Sequence, residues 1–352
     1  MSPIKARVLI VDDSITMRAF FGAIFERAGG IEVVGTAASA AEARKLMIQK
    51  RPNVVTLDVE MPGMGGLEFL EEIMRDRPTP VIMLSSLTQK GAETSFQALE
   101  RGAVDCFPKP TSANREEFAD KLTKLVIAAA TGNVRFARYA RDVPVPQPVE
   151  TQAAGYDWNG KIVVMSASTG GVDALLQLLP VFPADCPPTI VNLQIEPDLL
   201  PPLLKRLKTL CPAKVIAAED GRALQRGVIQ IVTDPETHAV LNHWPDPSLH
   251  LLYSNPVNGV RPSASLLFAT AARTAGANAV GVILTGIGSD GVAGLKALRA
   301  AGGYTISQDS QTCLVDQAPS AARAADVIDR DLPLDQIAQA VLDSCRRIAD
   351  AA

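Results

Sequence analysis

Short apolar runs rich in β-branched residues alternate with longer amphipathic stretches along most of this chain. Runs of this length without polar alternation are typical of strands buried on both faces of a parallel sheet. The amphipathic stretches between them fit helices that cover the faces of that sheet. The pattern therefore predicts a doubly wound α/β sheet in the first 130 residues, with strands at Arg7–Val11, Glu32–Ala37, Val54–Asp58, Val81–Ser86 and Asp105–Pro110.

The composition changes near residue 131. Residues 131–160 include the proline-rich stretch RDVPVPQPVETQAAG, which is typical of a semi-extended linker. From Lys161 the alternation of apolar runs and amphipathic stretches resumes and predicts a second doubly wound α/β domain. We therefore predict a domain at 1–130, a linker at 131–160 and a second domain at 161–352, which suits a chain of 352 residues.

Charge and composition exclude several classes of protein. The chain carries 34 Lys and Arg against 38 Asp and Glu, so its net charge of −4 disfavours nucleic acid as the main partner. Its apolar runs fall short of the about 18 residues that a membrane span needs. The first run ends in Asp12 and Asp13, unlike a secretory signal. We expect a cytoplasmic protein without membrane insertion, and the five scattered cysteines predict neither a disulfide framework nor a zinc ribbon.

Three carboxylates follow predicted strands of the first domain. Asp12 and Asp13 end the first strand and Asp58 ends the third, so all three are expected at the carboxyl edge of the sheet, where ligands bind in this architecture. Converging carboxylate oxygens suit Mg²⁺. Ser85 and Lys109 follow the fourth and fifth strands. Taken singly, each aspartate also fits a helix cap or a turn, and the lysine also fits a solvated surface residue.

The segments VLIVDDS, VVTLDVEMPGMGGLEFL, VIMLSS and FPKP together resemble the receiver domain of two-component response regulators over roughly residues 5–130. The resemblance implies that a sensor histidine kinase phosphorylates Asp58. It also implies that Ser85 swings inward to bond the phosphoryl group and that Lys109 pairs with this group. The Mg²⁺ ligands it implies are Asp12, Asp13, Asp58 and the main-chain carbonyl of Glu60.

A turn of small residues follows the first predicted strand of the second domain, in KIVVMSASTGGVDALLQLL. Ser168 lies in this turn and is followed by Thr169, Gly170 and Gly171. Small residues allow a sharp turn that exposes main-chain N–H groups at the start of a helix. Such a turn can hold a nucleophilic hydroxyl beside an oxyanion hole, but it equally fits an anion-binding loop or a plain helix cap.

A second glycine-rich turn lies in VGVILTGIGSDGVAGL, and Asp290 is its acidic residue. One interpretation is that Asp290 caps the helix predicted to begin near Gly291. The other is that it orients a histidine in a Ser–His–Asp arrangement.

Both turns, together with RPSASLLF and GGYTISQD, resemble the catalytic domain of the chemotaxis protein-glutamate methylesterases (CheB family) from about Lys161 to Cys345. That resemblance implies hydrolysis of glutamyl methyl esters on methylated chemoreceptors, with release of methanol, and deamidation of receptor glutamines. It implies Ser168 as the nucleophile and Asp290 as the acid of the triad. The walls of the acyl site would be Ser168–Gly171 and Thr285–Gly288.

The sequence departs from the family at the base of the triad. The family has a histidine in a Q-H-M-P turn, whereas this chain reads Gln194–Ile195–Glu196–Pro197. Ile195 cannot accept a proton, and loss of the base of a serine triad lowers turnover by a factor on the order of 10⁶. Two residues remain as surrogate bases. They are His238, in TDPETHAVL, which fits a binding residue equally well, and Glu196.

Three functions therefore stay open at this point. The first is a phosphorylation-activated methylesterase or amidase of chemoreceptors. The second is a catalytically impaired homologue that acts as a phospho-dependent binding or adaptor protein. The third is a phosphate sink that drains phosphoryl groups from the kinase.

Overall fold

The computed structural model describes residues 6–85, 89–110, 115–131 and 155–347. The chain divides into two compact units, Met1–Val143 and Pro144–Ala352. Most of the predicted linker, residues 132–154, lies outside the described residues, as does Ser86 of the predicted fourth strand. The domain boundaries at 130 and 161 stay predictions.

The N-terminal unit is a five-stranded parallel sheet with the strand order β2-β1-β3-β4-β5. Because β1 and β3 are neighbours, Asp12 and Asp58 at their carboxyl ends lie at the same crevice. The strands are β1 Ala6–Val11, β2 Ile31–Ala37, β3 Val54–Asp58, β4 Val81–Ser85 and β5 Asp105–Pro108. The helices are α1 Ile15–Arg27, α2 Ala40–Lys50, α3 Gly66–Asp76, α4 Gln89–Glu100 and α5 Arg115–Thr131.

Burial explains why these runs form the centre of a sheet. Every residue of β3 and β4 is buried, as the continuous apolar runs predict for strands covered on both faces. Ser14 and Ser39 cap α1 and α2 through their hydroxyls, which accept main-chain N–H groups of the first helical turn.

The C-terminal unit is built on a seven-stranded parallel sheet with the order β15-β14-β13-β6-β7-β10-β8. Its strands are β6 Ile162–Ala167, β7 Thr189–Leu193, β8 Lys214–Ala217, β10 Val228–Val232, β13 Ala279–Ile283, β14 Tyr304–Gln308 and β15 Arg330–Leu332. The helices are α6 Gly171–Leu178, α7 Leu200–Leu210, α8 Ala264–Ala275, α9 Val292–Ala300, α10 Gln317–Ala324 and α11 Leu334–Ser344. The predicted class of both domains is thereby confirmed.

The unit also contains a small antiparallel sheet that was not predicted from the sequence. Its first strand precedes β10 in the chain, and its other two strands lie between β10 and α8. It has the order β11-β12-β9, with β9 Arg222–Ala223, β11 Thr237–Asn242 and β12 Ser248–Tyr253. Ala239, Leu241 and Leu249 of this sheet belong to the same buried cluster as the apolar face of α8. Packing against this small sheet therefore helps to fix the position of α8.

Element ends differ from the prediction by a few residues at several places. β1 begins at Ala6 rather than Arg7, β2 begins at Ile31 rather than Glu32, and β5 ends at Pro108 rather than Pro110. The short elements α10 and β15 were not predicted. No helix in the described part of the chain has the length and apolar character that crossing a membrane requires.

Candidate functional sites

The acidic crevice of the N-terminal unit lies where β1 and β3 end. Asp12 and Asp58 are almost fully buried, whereas Asp13 is exposed. One carboxylate oxygen from each of the three lies within 4.8 Å of the others. Main-chain N–H groups orient two of these side chains, because Ser14 donates to Asp12 at 2.9 Å and Glu60 donates to Asp58 at 3.2 Å. Three converging carboxylates fit the oxygen ligands that Mg²⁺ prefers.

Lys109 supplies the positive charge of this crevice. Its Nζ lies 2.7 Å from Asp58 Oδ2 and 2.9 Å from Asp12 Oδ2. Burial raises the pKa of Asp58, and the hydrogen bond from Lys109 offsets only part of that rise. Burial acts to lower the pKa of Lys109, but its bonds to the two aspartates outweigh burial and raise this pKa above its usual value. The ammonium group therefore stays charged at neutral pH.

Ser85 and Glu60 lie at the same edge of the sheet. Ser85 is the last residue of β4, and its main-chain carbonyl accepts the N–H of Lys109 at 2.8 Å. This bond ties the ends of β4 and β5 together. Glu60 follows β3, and its main-chain N–H donates to the Asp58 carboxylate. The backbone of Glu60 therefore lies at the edge of the crevice.

A close approach of two backbone segments supports Asp58, and the sequence analysis missed it. A Cβ atom added to Gly66 would lie 2.0 Å from the main-chain oxygen of Asp58 and 2.9 Å from Val59 Cα. The N–H of Gly66 also donates to the oxygen of Val59 at 3.0 Å. Only glycine allows α3 to begin this close to the end of β3. The adjacent pair Gly65–Gly66 was the available signal.

The Ser168 turn follows β6 in the C-terminal unit and packs against the turn after β13. Ser168 donates its main-chain N–H to the oxygen of Thr285 at 3.1 Å, and its Oγ accepts the N–H of Ile287 at 3.0 Å. A Cβ atom at Gly286 would lie 2.3 Å from Ser168 Oγ. The structure therefore brings together the two turns that were predicted to wall the acyl site.

The residues after Ser168 make a tight entry into α6. Gly170 has a φ of 79°, and a Cβ atom there would lie 2.8 Å from Leu314 Cβ. The N–H of Gly171 donates to the oxygen of Ser168 at 2.6 Å, while the oxygen of Thr169 accepts the hydroxyl of Thr285 at 3.0 Å. Glycine is required at position 170 by both its conformation and its surroundings.

Asp290 uses its carboxylate to cap a helix, but not the helix that the sequence predicted. Its oxygens accept the N–H groups of Ala264 at 2.6 Å and Ser265 at 3.0 Å, and the hydroxyl of Ser263 at 3.0 Å. These residues begin α8, whereas the helix near Gly291 was the one expected to be capped. Gly291 itself donates its N–H to Asp290 at 3.0 Å. The capping interpretation is thus corrected to a helix that is distant in sequence.

The residue before Ile195, the predicted position of the family's base, contacts this carboxylate. Gln194 donates from Nε2 to Asp290 Oδ2 at 3.4 Å and to the oxygen of Pro262 at 3.2 Å. Ile195, the next residue, is half-buried, as is Glu196. An isoleucine side chain supplies neither a proton acceptor for Ser168 nor a donor for Asp290.

His238 is fully buried, and both of its ring nitrogens have partners. Nδ1 accepts the main-chain N–H of Ser263 at 3.0 Å, so the proton of the neutral ring is on Nε2. Nε2 lies 3.1 Å from the oxygen of Asn255, to which it donates. A general base for Ser168 needs a lone pair directed at the hydroxyl. These bonds argue against His238 as a surrogate base, and its role stays a prediction.

The two units define a class of protein. In one, three carboxylates and a lysine lie together at the carboxyl edge of a five-stranded parallel sheet, and in the other the Ser168 turn joins a strand and a helix of a larger α/β sheet domain. The model of the response regulator receiver domain matches residues 8–122, and the model of the CheB methylesterase matches residues 163–341. The chain belongs to the CheB protein-glutamate methylesterase family.

Relatives match over nearly the full length. The protein-glutamate methylesterase/protein-glutamine glutaminase of Agrobacterium fabrum is 44% identical over 338 residues, which are 96% of this chain and 96% of the relative. A protein of the same name, numbered 1, in Caulobacter vibrioides is 42% identical over 347 residues, covering 97% and 99% of the two chains. The crystal structure of the Thermotoga maritima CheB methylesterase catalytic domain is 30% identical with a TM-score of 0.51, and the match covers 52% of this chain and 98% of that one.

Proposed function

We propose that this chain is a phosphorylation-controlled response regulator that hydrolyses glutamyl methyl esters, and deamidates glutamines, of chemoreceptors. The proposal extends the activity in its relatives' names to this chain. The observation that carries it is Ser168 Oγ, which accepts the N–H of Ile287 in a turn that has no room for a side chain at Gly286.

The receiver supplies the control. Asp58 attacks the phosphorus of a phosphohistidine of the sensor kinase, a P–O bond forms, and the P–N bond to the histidine breaks. Asp12, Asp13, Asp58 and the Glu60 carbonyl would hold Mg²⁺, which when bound offsets the charge of the phosphoryl group. Lys109 pairs with the new phosphoryl oxygens, and the Ser85 hydroxyl moves towards them. The bond from Lys109 to Asp58 at 2.7 Å is therefore the contact that phosphorylation rearranges.

In the C-terminal domain Ser168 attacks the ester carbonyl, methanol leaves, and water hydrolyses the acyl-enzyme. The N–H of Ile287 stabilises negative charge on Oγ and so makes the hydroxyl easier to deprotonate. Loss of the base of a serine triad removes a factor on the order of 10⁶ from turnover. Hydrolysis at this site is therefore expected to be slow compared with a complete triad.

A second function is favoured by a specific observation. Ile195 stands where the family has its base, and the hydrogen bonds of His238 to Ser263 and Asn255 occupy both of its nitrogens. A domain with the acyl-site walls but without a proton acceptor is suited to bind a glutamyl side chain without turning it over. The second candidate is thus a phospho-dependent binding or adaptor protein.

Methanol release from methylated chemoreceptor membranes separates these functions. The full chain carries beryllofluoride and Mg²⁺ on the receiver, and the variants are Ser168→Ala, Ile195→His and Ile195→Gln. The first function requires that the wild type release methanol above the Ser168→Ala level. Whichever function holds, Ile195→His is expected to raise methanol release by at least about 10², because it restores a proton acceptor at the position where the family has its histidine. Ile195→Gln, which is polar but not basic, is expected to give no gain.

Co-sedimentation with the same membranes completes the test. Binding that depends on beryllofluoride, without Ser168-dependent methanol release, supports the adaptor and contradicts the esterase. Neither binding nor release, with beryllofluoride still taken up at Asp58, contradicts both and leaves the phosphate sink. Failure of Asp58 to take up beryllofluoride contradicts phosphorylation control itself.

A further inference from the structure

Arg18 lies in α1 and reaches back over the end of β1. Its N–H donates to the oxygen of Ser14, which places it one turn into the helix. Its Nη1 donates to the main-chain oxygens of both Asp12 and Asp13, at 2.7 and 2.9 Å. The guanidinium group therefore bonds the backbone of two aspartates whose side chains point into the acidic crevice, and it does so from the helix side.

The Arg18 guanidinium holds two consecutive carbonyls, and this constrains the backbone of Asp13, which lies between the two peptide planes. Each peptide unit is planar, so the orientations of the Asp12 and Asp13 carbonyls set both backbone dihedral angles of Asp13. These angles set the direction of the Asp13 Cα–Cβ bond and which rotamers its side chain can adopt. Asp12 has a further bond from the N–H of Ser14 to its carboxylate and is buried, whereas Asp13 is exposed. The direction of Asp13 therefore depends most on the Arg18 bonds.

We propose that Arg18 is a positioning residue for the Mg²⁺ site, acting through the main chain of Asp12 and Asp13 rather than on the ion. The inference rests on the proposed Mg²⁺ site of the receiver. Groups that orient metal ligands typically change metal affinity by about 10- to 100-fold when they are removed. The positive charge of Arg18 acts in the opposite direction, because it repels a cation. High salt screens this charge, since the Debye length falls below about 5 Å above roughly 0.5 M salt.

The chain contains a matched control. Arg7 also bonds two consecutive carbonyls, those of Lys50 and Arg51, at 2.6 and 3.0 Å, but at the end of α2. Arg7 belongs to β1 near its first residue, whereas the crevice lies at the opposite end of this strand. Arg7→Met therefore removes the same charge and the same kind of bond from the same unit without touching a metal ligand.

The experiment is a Mg²⁺ titration of the full chain in 0.5 M KCl, followed through the amide resonances of residues 12–14 and 58–60. Arg18→Met is expected to weaken Mg²⁺ binding about tenfold, Arg18→Lys by less than about threefold, and Arg7→Met by less than about twofold. If the wild type binds Mg²⁺ and Arg18→Met binds it as tightly or more tightly, the positioning role is overturned while the proposed metal site stands. Absence of Mg²⁺ binding by the wild type overturns the proposed metal site and the inference with it. If Arg18→Met does not fold, a folded Arg18→Ala variant takes its place: binding weakened about tenfold upholds the role, and binding within twofold of wild type overturns it.

Discussion

Replacing Gly66 by alanine tests the close approach of α3 to the phosphoacceptor strand. The added Cβ would lie 2.0 Å from the main-chain oxygen of Asp58 and 2.9 Å from Val59 Cα. Both are backbone atoms, so no side-chain rotation relieves the contact, and either α3 or the end of β3 must move by roughly 1.5 Å to reach an ordinary separation. Overpacking of this kind costs about 1–3 kcal/mol, and a purely backbone clash belongs at the upper end, near 3 kcal/mol.

The assay is differential scanning calorimetry of the full chain, with the receiver transition identified by its shift on adding Mg²⁺ and beryllofluoride. With an unfolding entropy of about 2.1 cal/mol/K per residue and a domain of roughly 120 residues, 3 kcal/mol lowers Tm by about 12 °C. Gly65→Ala is the control, because a Cβ there meets no atom within 4 Å and φ is −67°. It is expected to change stability by less than about 1 kcal/mol. Equal Tm values for the two variants would refute the steric explanation.

Two further substitutions test the charged groups of the sites. Asp290→Asn is expected to lower the free energy of unfolding, measured by urea denaturation, by about 2 kcal/mol. The reason is that an amide NH₂ cannot accept an N–H group at the start of α8 as the carboxylate oxygen does. Unchanged stability would contradict the capping role. Asp58→Asn is expected to raise stability at pH 7, because burial raises the pKa of Asp58 and the folded state then carries the ionised group at a cost. That gain should shrink as pH falls through the raised pKa of native Asp58 and be lost below the ordinary Asp value of about 3.9, because the carboxyl is then neutral in both the folded and the unfolded state. Urea midpoints that show a larger gain at low pH would contradict this sign.

The parallel sheets could be predicted because their strands are buried on both faces. β3 and β4 are continuous apolar runs, and that pattern separates them from the amphipathic helices between them. The sheet of β9, β11 and β12 escaped prediction for the opposite reason. β12 is mostly half-buried or exposed and contains Ser248 and His250, so it lacks a continuous buried apolar run. The proline-rich turn Trp244–Pro247 between β11 and β12 was the available signal for a hairpin.

The composition of the sites was predictable, whereas their contacts were not. Strand ends placed Asp12 and Asp58 at one edge, and the sheet order brings them together. The helix that Asp290 caps lies 25–27 residues earlier in the chain, and no local pattern indicates such a partner. The bonds of Arg18 could not be predicted either, because the sequence does not indicate which carbonyls an arginine near the start of a helix will contact.

His238 and Asp290 both bond Ser263, the residue that caps α8, one through its N–H and the other through its hydroxyl. Each polar group therefore has a stabilising role at the start of α8 that does not depend on catalysis, so their presence is not evidence that the Ser168 site turns over. Substituting either one also removes bonds that hold α8, and a loss of activity would not identify a catalytic role. Ile195→His is more informative, because it adds a proton acceptor while leaving every bond of this network in place.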